Sequence, residues 1–175
     1  MGSILRDAEK PKEEEIAYRD ALAIRRELSR DFPTSAECCN GLAWILATCP
    51  LEQLRDTGKA VELSNRAVGL DPSVGNYWNT LGVARYRAGK WKEAVEALTK
   101  SMELNSGGDV VDWLFLAMAH QHLGHQQQAR RWHDRAAVAL ENDLVMDQSR
   151  RLFLAETAHV LGLTDPTPKG KLSPR

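Results

Sequence analysis

No apolar run in the 175 residues approaches the roughly 18 that a membrane-crossing helix needs, so no bilayer span is expected. An excess of charge of either sign is also missing. Lysine and arginine number 23 against 24 aspartates and glutamates, a balance that argues against a nucleic-acid protein, which carries a basic surplus. The opening "MGSILRDAEKPKEEE" has no apolar segment of the kind a secretory leader requires. Residues 1–11 are expected to be a tail or an expression scar.

Cysteine is scarce as well. Cys38, Cys39 and Cys49 are odd in number and lack metal-ligand spacing. Cys38 and Cys39 would project about 100° apart on a helix and make no natural pair. They are expected to be reduced, partly buried thiols, which suits a cytoplasmic protein. There is no H-E-x-x-H, no glycine-rich phosphate loop and no G-x-S-x-G elbow. The expectation is therefore no enzyme, no cofactor and no metal site.

What is present is a repeat. The segments "KAVELSNRAVGLDP" (59–72), "EAVEALTKSMELNS" (93–106) and "QARRWHDRAAVALE" (128–141) superpose Ala60, Ala94 and Ala129, in steps of 34 and 35 residues. Upstream of each lies a second match: "CNGLAWIL", "WNTLGVAR" and "WLFLAMAH". These align Leu42, Leu81 and Leu116, each followed by a small residue, Ala43, Gly82 or Ala117. The unit is two helices with a short break. A small residue lets two helices cross closely, and bulky ones such as Trp78 and Trp91 fill the flanks. Gly89 sits where a left-handed cap would end the first helix.

This pattern resembles the tetratricopeptide repeat family, whose signature runs W-x2-L-G-x2-Y, then A-x3-F, then P, on a period of 34. The second copy supplies Trp78, Leu81, Gly82, Ala94 and Leu98, with Tyr86 one place late and Ser106 for the proline. The third supplies Trp113, Leu116, Ala117 and Ala129, with His120 and His133 at the usual aromatic positions. The first puts Cys39 at the tryptophan but keeps Leu42, Ala43, Ala60 and Pro72. The wording of "LAWILATCP" and "SMELNSGGD" is similar to repeat arrays of planctomycete-type bacterial proteins.

The resemblance implies an all-α, right-handed superhelical solenoid of helix-turn-helix repeats. The expected divisions are a half-repeat at 12–33, repeats at 34–73, 74–108 and 109–143, a capping helix at 146–162 and a disordered tail at 164–175. That is eight helices. Thr34 and Glu37 read as a capping box for the helix that follows. Residues Pro50 to Gly58 are nine where the second copy has four, an insertion on the rim. The capping helix carries Phe153, Leu154, Ala158 and Leu161 on one face and is expected to close the last repeat.

The histidines do not read as a metal site. His120 and His122 lie about 200° apart on one helix. His120 and His133 are expected to pack against each other across a hairpin.

In such arrays the first helix of each pair lines a concave face. Helical spacing selects Glu37, Asn40, Trp44 and Thr48 from repeat one, and Asn76, Asn79, Val83, Tyr86 and Arg87 from repeat two. Repeat three contributes Val111, Leu114, Met118, Gln121 and His122. Asn40 and Asn79 occupy equivalent places, where a side-chain amide can hold a peptide backbone. One branch of the family binds acidic chaperone tails through lysines, arginines and asparagines, but here Arg87 is the one strong cation of the groove, which argues against that ligand. The expected function is a scaffold that binds a protein or peptide partner in this groove. Self-association into a homo-oligomer is the alternative.

Overall fold

The computed structural model describes residues 2–141 and 148–163, with side chains described from Lys12 onward. Among the described residues there are eight α-helices and no strand. They are α1 (Gly2–Asp31), α2 (Ala36–Thr48), α3 (Thr57–Leu70), α4 (Gly75–Arg87), α5 (Trp91–Leu104), α6 (Val110–His122), α7 (Gln126–Glu141) and α8 (Gln148–Val160), with a 3-10 turn over Glu52–Leu54. No described helix is long and apolar enough to cross a membrane. Helix α1 begins at Gly2, ten residues ahead of the half-repeat boundary expected at Lys12. The tail at 164–175 lies outside the described residues.

Helices α2 and α3, α4 and α5, and α6 and α7 form three antiparallel hairpins that stack in order. Each new hairpin packs its first helix on the second helix of the one before, and α2, α4 and α6 adjoin along the inner side. The result is an all-α helical repeat solenoid. The aligned alanines Ala60, Ala94 and Ala129 are all fully buried, at 0% exposure. A methyl group is all the room these crossings leave. Gly82 shows the limit: a Cβ built there would stand 2.5 Å from Leu98 Cγ and 3.2 Å from the Leu98 backbone nitrogen.

Local signals set the helix ends. Gly89 (φ 74°), Gly124 (φ 78°) and Gly162 (φ 68°) adopt the left-handed conformation after α4, α6 and α8. In each case two amide hydrogens fold back on the helix. Lys90 N–H donates to the Arg85 carbonyl and Gly89 N–H to that of Tyr86, and His125 with Gly124 and Leu163 with Gly162 repeat the pattern. The α2 cap differs from the expected box. The side chain that caps is Ser35, accepting from Cys38 N–H, so the third helical residue is a cysteine that cannot return the bond. A reciprocal box does form at α6, where Asp109 accepts from Val111 and Asp112 N–H while Asp112 accepts from Asp109 N–H.

The tryptophans act as latches. Trp78 donates its indole N–H to the Pro72 carbonyl at 2.9 Å, and Trp113 does the same to Gly107 at 3.0 Å, one repeat later. Trp91 lies flat on His122, with centroids 4.5 Å apart and planes 7° from parallel. In the insertion, Asp56 caps α3 through Lys59 N–H, and Arg55 Nε donates to the Cys49 carbonyl at 2.6 Å.

The eighth helix takes an unexpected course. It meets α7 only marginally and packs chiefly on α6, on the inner side of the solenoid. It therefore does not stack on the last hairpin the way α4 stacks on α3. Its contacts run the length of the groove.

Candidate functional site

The concave face is built by α2, α4 and α6, and α8 lies along it. Phe153, 5% exposed, is the central contact. Its ring meets Trp44 of α2 edge-on at 6.3 Å and Phe115 of α6 at 5.2 Å. One turn later, Glu156 receives both terminal nitrogens of Arg87 from α4, the Nη2 bond measuring 2.7 Å. Leu161, beyond the end of α8, shares a surface depression with Gln121 and Gln126. Side chains of α8 therefore meet the first helix of each of the three repeats.

Arg87 sits in apolar surroundings. Its side chain is 9% exposed and its guanidinium lies 5.1 Å from the Phe115 ring centre and 5.6 Å from that of Tyr86. A guanidinium taken so far out of water needs a planar anion, and the two-pronged carboxylate of Glu156 supplies it. Burial, with the Glu156 charge adding to it, pushes the Tyr86 phenol up to about 12. The Tyr86 hydroxyl stands 3.4 Å from His122 Nε2.

A cleft of about 360 Å³ remains beside α8. Asn40, Trp44, Asn76, Asn79, Thr80, Asp109 and Val111 line one side, and Ser149, Arg150 and Phe153 of α8 line the other. A second cleft of about 180 Å³ opens on the opposite flank of α8, between Thr48, Pro50, Arg55 and Arg87 and the α8 residues Ser149, Leu152, Phe153 and Glu156. The insertion after Pro50 thus borders the groove.

The residues selected from the sequence fall into three groups. Glu37, Asn76 and His122 are exposed, and Asn40, Trp44, Thr48 and Gln121 are half-buried. Val83, Leu114 and Met118, expected as exposed groove lining, are fully buried at 0% and share one hydrophobic cluster with Phe153 and Leu154. Val111 and Tyr86 are also buried, and Arg87 is engaged by Glu156.

The two equivalent asparagines part company. Asn79 is 8% exposed and donates to Asp112 Oδ1 at 2.8 Å, tying repeat two to repeat three. Asn40 has no such carboxylate, since Tyr77 stands where Asp112 would, and its Oδ1 is buried without a hydrogen-bond partner among the described residues. Burial raises the Asp112 pKa, while the bonds from Asn79, Asp109 N–H and Ser101 pull the other way.

The contact His120 makes is with His125, Nδ1 to Nδ1 at 3.2 Å, because the glycine turn at Gly124 folds His125 back over the helix end. His133 instead approaches the Asp134 carboxylate at 3.2 Å. No group of three or more histidine, cysteine, aspartate or glutamate side chains is arranged for a metal among the described residues.

The repeat pattern does not single out Asp112 or Glu156, nor the groove as the destination of Phe153. A signal existed for Glu156. A lone arginine among apolar groove residues requires a carboxylate, and Glu156 lies one turn from the one aromatic residue of α8.

Comparison with known proteins places this geometry. Residues 75–107 match the family model of the tetratricopeptide repeat. No curated protein matches the chain. Among solved structures, "Crystal structure of MamA protein" is similar with a TM-score of 0.58 at 17% identity, over 93% of this chain and 85% of that one. "Crystal structure of APC/C hetero-tetramer Cut9-Hcn1" gives 0.56 at 16% identity, over 83% of this chain and 29% of that one. "CopN-Scc3 complex" gives 0.51 at 15% identity, over 79% and 75%. At these identities the likeness concerns the fold. The matched segment is one tetratricopeptide repeat, covering the α4–α5 hairpin, and the solved structures share the helical solenoid fold with the array as a whole.

Proposed function

We propose that this chain is a protein-interaction scaffold whose concave face binds a partner helix or peptide. One observation carries the reading: the face formed by α2, α4 and α6 already holds a helix, through an aromatic anchor and a two-pronged arginine–glutamate pair. Groove recognition of helices uses this mode, in which an apolar stripe enters a hydrophobic channel and a charged pair sets the direction. Two of the similar structures are complexes, Cut9 with Hcn1 and CopN with Scc3.

The test is an affinity capture with the immobilised full chain, comparing wild type with Trp44→Ala and, as outer-face control, Lys100→Ala. Truncating the groove aromatic is expected to cost the captured partner about 1–3 kcal/mol of affinity. Lys100, which pairs with Glu103 on the exposed side of α5, should be silent. Loss of binding in the Lys100 variant alone would move the site to the convex surface.

A second reading, self-association, has one observation of its own. Ile16 and Ile24 of α1 are 59% and 57% exposed on the open N-terminal edge. Light scattering over a concentration series decides it, since a second copy covering that edge requires a mass that rises with concentration.

A further inference from the structure

Helix α8 has the length of α4 and α6, 13 residues each, and ends in the same glycine reversal. It is built like the first helix of another hairpin. Stacking on α7 would continue the solenoid, yet α8 turns inward and makes its contacts on the concave face. Its inner side carries an apolar stripe, with Ser149 and Arg150 at its first turn and Glu156 beside it. Phe153, Leu154 and Ala158 are buried, and the buried Thr157 hydroxyl is spent on the Phe153 carbonyl of its own helix at 2.7 Å. Its outer side, with Arg151, Leu152, Ala155 and His159, is exposed. The groove answers each inner feature, with Trp44 and Phe115 around the phenyl ring and Arg87 on the carboxylate.

We infer that α8 is an intramolecular stand-in for the partner: the groove accepts an amphipathic helix bearing an aromatic residue and a carboxylate three positions later, and α8 must leave before that partner enters. This rests on the reading of the concave face as the binding surface. The specificity follows from the lining. Trp44 and Phe115 form an aromatic socket, and the buried Arg87 selects an anion at one distance from it. The chain itself holds α8 close to the groove, so an external helix competes with a ligand at high effective concentration. Its apparent affinity is reduced by the fraction of chains that are open.

The probe is a fluorescein-labelled peptide of residues 148–163, "QSRRLFLAETAHVLGL", and the readout is anisotropy with the full chain. Wild type should bind it weakly. Glu156→Arg sets the chain's own α8 against Arg87 and should bind it about tenfold or more tightly. The double variant Arg87→Glu with Glu156→Arg restores the pair in reverse and should refuse the peptide again. Phe153→Ala, which removes the aromatic anchor instead of the charge, should open the groove as Glu156→Arg does. Circular dichroism of each variant establishes that the solenoid is folded.

Equal binding to wild type and to both opened variants would overturn α8 as a competitor while leaving the groove a helix-binding surface. Absence of binding to any folded variant would remove the groove reading itself. A wild-type dimer that Glu156→Arg dissolves would make α8 an arm exchanged between two copies and would overturn the intramolecular assignment.

Discussion

Asn79 of α4 and Asp112 of α6 share a 2.8 Å hydrogen bond that is shielded from solvent, and it joins two repeats through their first helices. The amide looks from the sequence like a handle for a ligand, but the carboxylate of the next repeat takes it. Asp112 also receives Asp109 N–H at 3.0 Å, so one buried carboxylate serves a helix cap and a repeat junction. Asn79→Ala leaves that carboxylate short of a donor. The variant should lose about 1–3 kcal/mol in urea unfolding. An unchanged midpoint would show that water or another donor replaces the amide freely.

Gly82 of α4 and Leu98 of α5 meet at a close helix crossing. A methyl at Gly82 would come within 2.5 Å of Leu98 Cγ, and Leu98 is fully buried with no room to yield. Alanine is intrinsically the better helix residue by roughly 1 kcal/mol, so any net loss measures the clash. Gly82→Ala should be destabilised by about 1–3 kcal/mol. Adding Leu98→Val should recover part of it, and strictly additive losses in thermal unfolding would contradict the contact.

Two further glycines separate backbone strain from packing. A Cβ at Gly89 or at Gly69 would meet nothing within 4 Å. Gly89 holds φ at 74°, whereas Gly69 lies in α3 without a positive φ. Gly89→Ala should therefore cost about 1–2 kcal/mol for the left-handed residue. Gly69→Ala should gain about 0.5–1 kcal/mol by restricting the unfolded chain. Melting shifts of the same sign in both would refute the difference in backbone conformation.

The His120–His125 pair predicts a pH dependence. Burial lowers the His120 pKa below 6.5, and the neighbouring His125 lowers it further. A histidine with a depressed folded pKa favours the folded state when neutral. Its contribution is complete above the unfolded value near 6.5 and is lost as the pH falls from there through the folded pKa. The melting temperature of wild type should fall more steeply between about pH 7 and 5 than that of His120→Gln. Parallel curves would mean that protonation of this pair is accommodated without cost.

The helix count and hairpin order were legible because the repeat states them three times. A buried alanine at Ala60, Ala94 and Ala129 and a small residue at Ala43, Gly82 and Ala117 recur in phase, and close crossings leave no other choice at those places. Gly89, Gly124 and Gly162 mark helix ends because the chain reversal demands a positive φ, a local requirement. The capping hydroxyl was misplaced by one residue, at Thr34 instead of Ser35, since either side chain can cap and only the helix start decides.

The groove depended on the tertiary structure. Val83, Leu114 and Met118 announce that the inner face is apolar, but a face pattern does not say what covers it. Asn40 and Asn79 are equivalent along the repeat, yet one is tied and the other is not, because the difference lies in the next repeat, where Asp112 answers Asn79 and Tyr77 stands opposite Asn40. The path of α8 was settled by Phe153 meeting Trp44 and Phe115 and by Glu156 meeting Arg87, contacts between residues tens of positions apart. Periodicity is a property of neighbours three and four apart, so it fixes which side of a helix is buried. Which surface it is buried against is chosen among all the apolar faces the folded chain offers.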